Sequence, residues 1–164
     1  MAKVRFDTSM SSEEISREEI RAMRLSYGES GIGELGADPF VAFADWLRQA
    51  RDNPLIVEAN AMVLSTLDSD LLITTRTVLL KDISLGGFTF FTNYSSRKAH
   101  AIDANPQVSL LFPWYAMERQ ISISGLAEKV SADESMSYFA TRPWSSQIGA
   151  WASHQSAPLT SREE

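Results

Sequence analysis

Ser95-Ser96-Arg97-Lys98 places two hydroxyls and two cations at what reads as a helix start. Free N–H groups, the positive end of a helix dipole and two positive side chains would meet there, which is a phosphate-binding arrangement. A serine-capped helix with solvated charges would carry the same tetrapeptide. Arg76 and Lys81 flank the apolar run Thr77-Val78-Leu79-Leu80. Strand alternation sends Arg76, Val78 and Leu80 to one face and Thr77, Leu79 and Lys81 to the other. Cations at the ends of a mostly buried strand mark a mouth or an interface. Tyr138 and Arg142 stand i, i+4 on one helix face with Ser146 just beyond, so a phenol, a guanidinium and a hydroxyl could form a second anion clamp. The plain alternative is Tyr138 as a core residue.

Charge supports a small anionic ligand over a large one. The net charge of −6 argues against a general nucleic-acid binder. Up to Thr75 there are 7 cations and 13 anions, and from Arg76 onward 8 of each. Arg76, Lys81, Arg97 and Lys98 face only Asp82 within their stretch, a local cationic block on an acidic chain. Other chemistries lack their residues. With no cysteine there is no disulfide, thiolate metal site or catalytic thiol, which fits a cytoplasmic protein. His100 and His154 are the only histidines and neither has a ligand partner at metal-binding spacing. Gly31, Gly33 and Gly36 spell G-x-G-x-x-G, but a capped helix precedes them where a dinucleotide site needs a strand. They read as a loop. There is no nucleophile-elbow serine, no Walker sequence, no signal-peptide core and no apolar run long enough to span a bilayer.

The elements that must position these groups follow from periodicity. Residues 1–10 read as a mobile lead-in. Ser16-Arg17-Glu18-Glu19 has capping-box form and predicts a short helix over 17–27. Asp38-Pro39 restarts the chain as a helix over 39–51, with Phe40, Phe43, Trp46, Leu47 and Ala50 on one face. From Ala61 the period becomes two, predicting strands over 61–67, 73–81, 87–92, 107–112 and 119–128, with Gly86-Gly87 as a hairpin turn. Helices are expected over 97–104, capped by Ser95 or Ser96, from Ser131 to Arg142-Pro143, and over 145–152. Short turns between consecutive strands, with helices at the edges, indicate an antiparallel α+β barrel or sheet.

Taken together, these blocks resemble the pyridoxine/pyridoxamine 5′-phosphate oxidase family. The matching pieces are Arg76-Thr-Val-Leu-Leu-Lys81, Phe90-Phe-Thr-Asn93, Ser96-Arg-Lys98, Asn105-Pro106, Leu111-Phe-Pro-Trp114, Glu118-Arg-Gln120, Tyr138-Phe139, Arg142-Pro143, Ser146-Gln-Ile-Gly-Ala150 and Ser153-His-Gln-Ser156. They occur in the family's order from about Arg24 onward. The resemblance implies an FMN-binding split β-barrel, antiparallel and Greek-key-like, with peripheral helices. Residues 1–37 would form a lead-in with a substrate-covering helix and 38–164 the flavin-binding domain. It also implies a homodimer with FMN at the interface, and the apolar edges Leu110–Trp114 and Ile148–Trp151 fit such an association. FMN binding carries over to Arg76, Thr77, Val78, Leu79, Leu80, Lys81, Phe91, Thr92, Arg97, Lys98, Gln120, Gln155 and Ser156. Substrate binding carries over to Arg24, Tyr27, Lys81, Tyr138, Arg142 and Ser146.

The reaction so implied oxidises pyridoxamine or pyridoxine 5′-phosphate to pyridoxal 5′-phosphate, with hydride passing to FMN and O₂ reoxidising it to give H₂O₂. The cofactor then carries the redox chemistry, which agrees with the absence of an acid–base dyad, and no metal or nucleic acid takes part. Two departures stand out. Asp68-Ser-Asp-Leu-Leu-Ile73 replaces the family's Gly- and Pro-containing turn. The family's later segment, with a flavin-contacting Trp, an Arg-x-His pair and a further Arg, has no counterpart before Glu164. The expectation is a shortened chain or one without activity. Rival readings are a split-barrel flavin oxidase or reductase on another small substrate, and a non-catalytic FMN- or pyridoxal-phosphate-binding protein.

Overall fold

The computed structural model describes residues 16–23, 26, 28, 31–84, 86–153, 155–158 and 161. The chain divides into two compact units, 1–34 and 35–164. In the first, α1 (Arg17–Ala22) starts with the expected capping box: Glu19 N–H donates to the Ser16 hydroxyl at 3.1 Å and Ser16 N–H to the Glu19 carboxylate at 2.7 Å. It closes at Met23, short of the predicted end at 27. Ile20 and Met23 are exposed, so no packing lengthens a helix too short to persist on propensity alone. Gly31 and Gly33 adopt positive φ in an irregular stretch, as a loop requires. The predicted lead-in over 1–10 lies outside the described residues.

The second unit opens with α2 (Pro39–Asp52), where the Asp38 carboxylate accepts the Phe40 N–H at 2.8 Å and Pro39 takes the first turn. Six strands follow: β1 (Ala61–Leu67), β2 (Ile73–Leu79), β3 (Asp82–Ser84), β4 (Gly87–Thr89), β5 (Gln107–Trp114) and β6 (Arg119–Leu126). α3 (Arg97–Ala104) separates β4 from β5, and α4 (Ala132–Thr141) and α5 (Trp144–Ala152) close the order. β2-β1-β5-β6 make one antiparallel sheet and β3-β4 a separate hairpin. The predicted strand over 73–81 therefore ends at Leu79, and β3 is a further strand beyond it. Leu80 N–H still reaches Asn60 C=O at 2.9 Å, whereas Lys81 N–H turns to Thr89 C=O at 2.8 Å, so the chain leaves one sheet for the other between these residues. This is the α+β antiparallel class expected, with its strands split between two sheets.

Alternation sorts the large sheet into two faces. Met62, Leu64, Val78, Leu110, Phe112 and Trp114 are buried, and Phe43 from α2 packs its ring edge-on against Phe88 and Phe112 at about 5 Å. The Trp114 indole N–H donates to Ala59 C=O at 2.9 Å, which satisfies the one polar atom the ring buries. Leu110, Phe112 and Trp114 are thus core, not the exposed apolar edge expected for association. Trp144, Ile148 and Trp151 on α5, in contrast, are 74%, 49% and 82% exposed. Among the described residues, no helix is long and apolar enough to cross a membrane.

Candidate functional site

Arg76 sits opposite Leu64 in the β1–β2 ladder, on the core face of the sheet. Its guanidinium donates to Leu64 C=O at 3.1 Å, to the Thr66 hydroxyl at 2.8 Å and to the Thr74 hydroxyl. Thr66 and Thr74, themselves 3.3 Å apart, fix the fork in place from two strands. Burial, and then the charge of Arg97, press the Arg76 pKa downward.

The start of α3 brings two more cations. Lys98 is only 8% exposed. Its ammonium donates to the Ser96 hydroxyl at 3.3 Å and to Gln155 Oε1 at 2.8 Å, both neutral acceptors. Burial first, and the Arg76 charge second, push its pKa below the ordinary lysine range. Ser96 is the N-cap residue of α3, yet its hydroxyl makes no cap bond and serves Lys98 instead. The more exposed Arg97 reaches Asp68 at 3.5 Å, the one carboxylate in contact with the group among the described residues. Asp68 in turn accepts N–H bonds from Leu72 and Asp70, which hold its carboxyl below the usual range together with Arg97. A buried lysine without an acidic partner is unfavourable on its own. Among the described residues these three cations have one carboxylate in contact with them, a charge balance chemically suited to a multiply charged anion such as a phosphate monoester.

The loop before α3 is shaped by Asn93, whose side-chain oxygen accepts both the N–H and the hydroxyl of Ser95, while its C=O accepts the Ser96 N–H. Thr92 donates to Gln155 Oε1 at 3.5 Å, so Gln155 joins this loop to Lys98. Phe91 stacks on Tyr138 of α4 with ring centres 3.9 Å apart and planes 4° from parallel. Arg142 caps the C-terminal end of α4, its guanidinium 5.8 Å from the Phe139 ring centre and its C=O accepting the Gln147 side-chain N–H at 2.8 Å. Ser146 follows, half-buried in the first turn of α5.

The expected residues therefore divide. Arg76, Arg97, Lys98, Thr92 and Gln155 are drawn together, and Phe91 joins them to Tyr138. Ser156 follows Gln155 with φ 73°, a left-handed bend at the edge of the group. Val78 and Leu80 are core side chains, so only their backbone could meet a ligand. Thr77, Leu79 and Gln120 lie on the opposite face of the sheet from Arg76, with Gln120 on the far edge strand. Lys81 is exposed where the chain changes sheets. Arg24, Tyr27 and His154 lie outside the described residues. Sequence reasoning missed Thr66, Thr74 and Asp68. Paired threonines across a hairpin from an arginine were the available signal, whereas the approach of Asp68 to Arg97 is a tertiary contact with no local signature.

Comparison with known proteins places the chain among relatives. The family model described as pyridoxamine 5′-phosphate oxidase matches residues 50–164. A pyridoxine/pyridoxamine 5′-phosphate oxidase from Hydrogenovibrio crunogenus is 51% identical over 143 residues, covering 86% of this chain and 67% of that protein. One from Streptomyces avermitilis is 49% identical over 148 residues, covering 87% and 66%. The chain thus spans about two thirds of the length of these relatives. Among solved structures, PhzG from Burkholderia lata, in complex with tetrahydrophenazine-1-carboxylic acid, superposes with a TM-score of 0.75 at 27% identity over 85% of this chain and 68% of that one. An FMN-binding, pyridoxamine 5′-phosphate oxidase-related protein from Nostoc punctiforme shares the fold, with a TM-score of 0.61 at 15% identity over 79% of this chain and 71% of that one.

Proposed function

This chain belongs to the pyridoxamine 5′-phosphate oxidase family, and on that premise we propose that it binds FMN and acts on pyridoxamine or pyridoxine 5′-phosphate, yielding pyridoxal 5′-phosphate with O₂ as acceptor and H₂O₂ as by-product. The observation that carries the reading is Lys98: a nearly buried ammonium, next to Arg76 and Arg97, with no carboxylate of its own among the described residues. The FMN phosphate would complete that set. Bound FMN would supply the hydride acceptor, which no side chain of the protein can provide. Arg76 is held rigid by its two threonines, and Lys98 by Ser96 and Gln155, so both present their charge at little further ordering cost. Thr92 and Gln155 border the same place.

The substrate phosphate falls to Tyr138, Arg142, Ser146 and Lys81. Holding that phosphate aligns the substrate's reacting carbon with the flavin ring, an orientation effect that needs no acid or base from the protein. Gln120, on the sheet face away from Arg76, suits an FMN held by a second copy, and the exposed Trp144, Ile148 and Trp151 stripe suits pairing. We take the working unit to be a homodimer in which the 38–164 segment binds flavin.

The test is an absorption titration. FMN uptake near one per chain, followed by bleaching of the flavin band on anaerobic addition of pyridoxamine 5′-phosphate, is the expected result. A folded chain that takes up no FMN overturns the reading. FMN uptake without bleaching by either B6 phosphate leaves a flavin-binding protein and refutes the reaction.

A further inference from the structure

Two anion sites have been placed on separate helices, one at the start of α3 and one across α4 and α5. A continuous set of contacts nevertheless joins them. Lys98 donates to Gln155 Oε1 at 2.8 Å, and the same oxygen accepts from Thr92 at 3.5 Å. Thr92 is bonded to Phe91, whose ring lies flat on Tyr138 at 3.9 Å. Both rings are only partly buried, so burial alone does not lock either of them. The stack is the direct ring contact between the loop before α3 and the tyrosine of the second clamp.

We propose that Phe91 is a positioning residue for Tyr138, and that through this stack, filling the Lys98 site strengthens ligand binding at the Tyr138–Arg142 site. The inference rests on the function proposed above. An anion seated against Lys98 draws its ammonium into a charge-assisted bond and steadies the Gln155–Thr92 connection. The loop that carries Phe91 then moves less, and the Tyr138 ring spends more time stacked with its hydroxyl directed into the clamp. A ligand arriving second meets a clamp already ordered, which is positive cooperativity without a change of fold. Linkage requires the reverse effect to be equal.

The experiment measures the dissociation constant of pyridoxal 5′-phosphate with no FMN and with saturating FMN, the ratio of the two being the coupling. An aromatic stack contributes about 0.5–1.5 kcal/mol beyond the area it buries. Phe91→Leu should therefore lower the coupling by about 2- to 12-fold, and Phe91→Tyr, which keeps a flat ring, should restore it. Tyr138→Phe should weaken pyridoxal 5′-phosphate binding and remove the coupling, because the hydroxyl is the group that the ordered ring presents to the ligand. That variant also tests the idea should Phe91→Leu fail to fold. Coupling that survives Phe91→Leu would assign the effect to direct contact between the two ligands and overturn the proposal, as would its survival in Tyr138→Phe. Failure of the native chain to bind either ligand overturns the proposed function too. Binding of both with no coupling overturns this inference alone.

Discussion

Replacing Lys98 with methionine should make the ligand-free chain more stable and its anion site much weaker. Lys98 is 8% exposed, and among the described residues its ammonium bonds only to the Ser96 hydroxyl and Gln155. Removing a buried charge that lacks a counter-charge, with a side chain of similar length left in its place, is commonly neutral to stabilising by about 1–4 kcal/mol. Part of that is returned through Ser96, which loses its donor; its hydroxyl is, however, the N-cap of α3 and becomes free to accept a first-turn N–H, worth about 1 kcal/mol. A net gain of about 1–2 kcal/mol follows, read as a higher urea midpoint with unchanged slope. Binding moves the other way. Loss of one charge-assisted bond of about 1.5–3 kcal/mol raises the FMN dissociation constant roughly 10- to 150-fold.

The pH dependence separates this account from a packing effect. The folded-state pKa of Lys98 is depressed by burial and by Arg76, so over the range between that value and the ordinary lysine pKa the unfolded chain binds more protons. Stability of the ligand-free native chain therefore gains a component that rises with pH through that window, and Lys98→Met lacks it. FMN affinity falls over the same window as the ammonium is lost. A methionine variant that is less stable than the native chain by more than about 1 kcal/mol, or that binds FMN as tightly, refutes the assignment of Lys98 as an uncompensated anion ligand.

Other substitutions test the remaining parts. Arg142→Leu should raise the pyridoxal 5′-phosphate dissociation constant by about 10- to 150-fold while FMN affinity changes little, as measured by parallel titrations. Phe112→Ala opens a cavity among Phe43, Phe88 and Trp114 and should cost about 3–5 kcal/mol in urea unfolding. Asp38→Ala removes the cap on Phe40 N–H and should cost about 0.5–2 kcal/mol, with Asp38→Asn nearly neutral.

Local chemistry made most elements readable in advance. Asp38-Pro39, Ser131 with Glu134 and the alternation of β1 each act within a few residues, and α2, α4 and β1 form where those signals place them. Arg97 and Lys98 at a helix start are likewise a local statement, and α3 begins at Arg97. The sequence alone also carried the family resemblance, because the matching blocks hold their order regardless of packing. Whether the charges at α3 are solvated or buried was beyond local reading. That depends on Arg76, Thr66 and Gln155 arriving from two strands and from the turn after α5, and burial is a property of the whole chain. The break between Leu79 and Asp82 was hidden for the same reason: Thr77 to Lys81 alternates without interruption, and it is Asn60, in the turn before β1, and Thr89 of β4 that decide where the chain changes partners. Leu110–Trp114 shows the converse. An apolar strand reads alike as an interface or a core, and it was Phe43 of α2, packed against Phe112 and Trp114, that made it core.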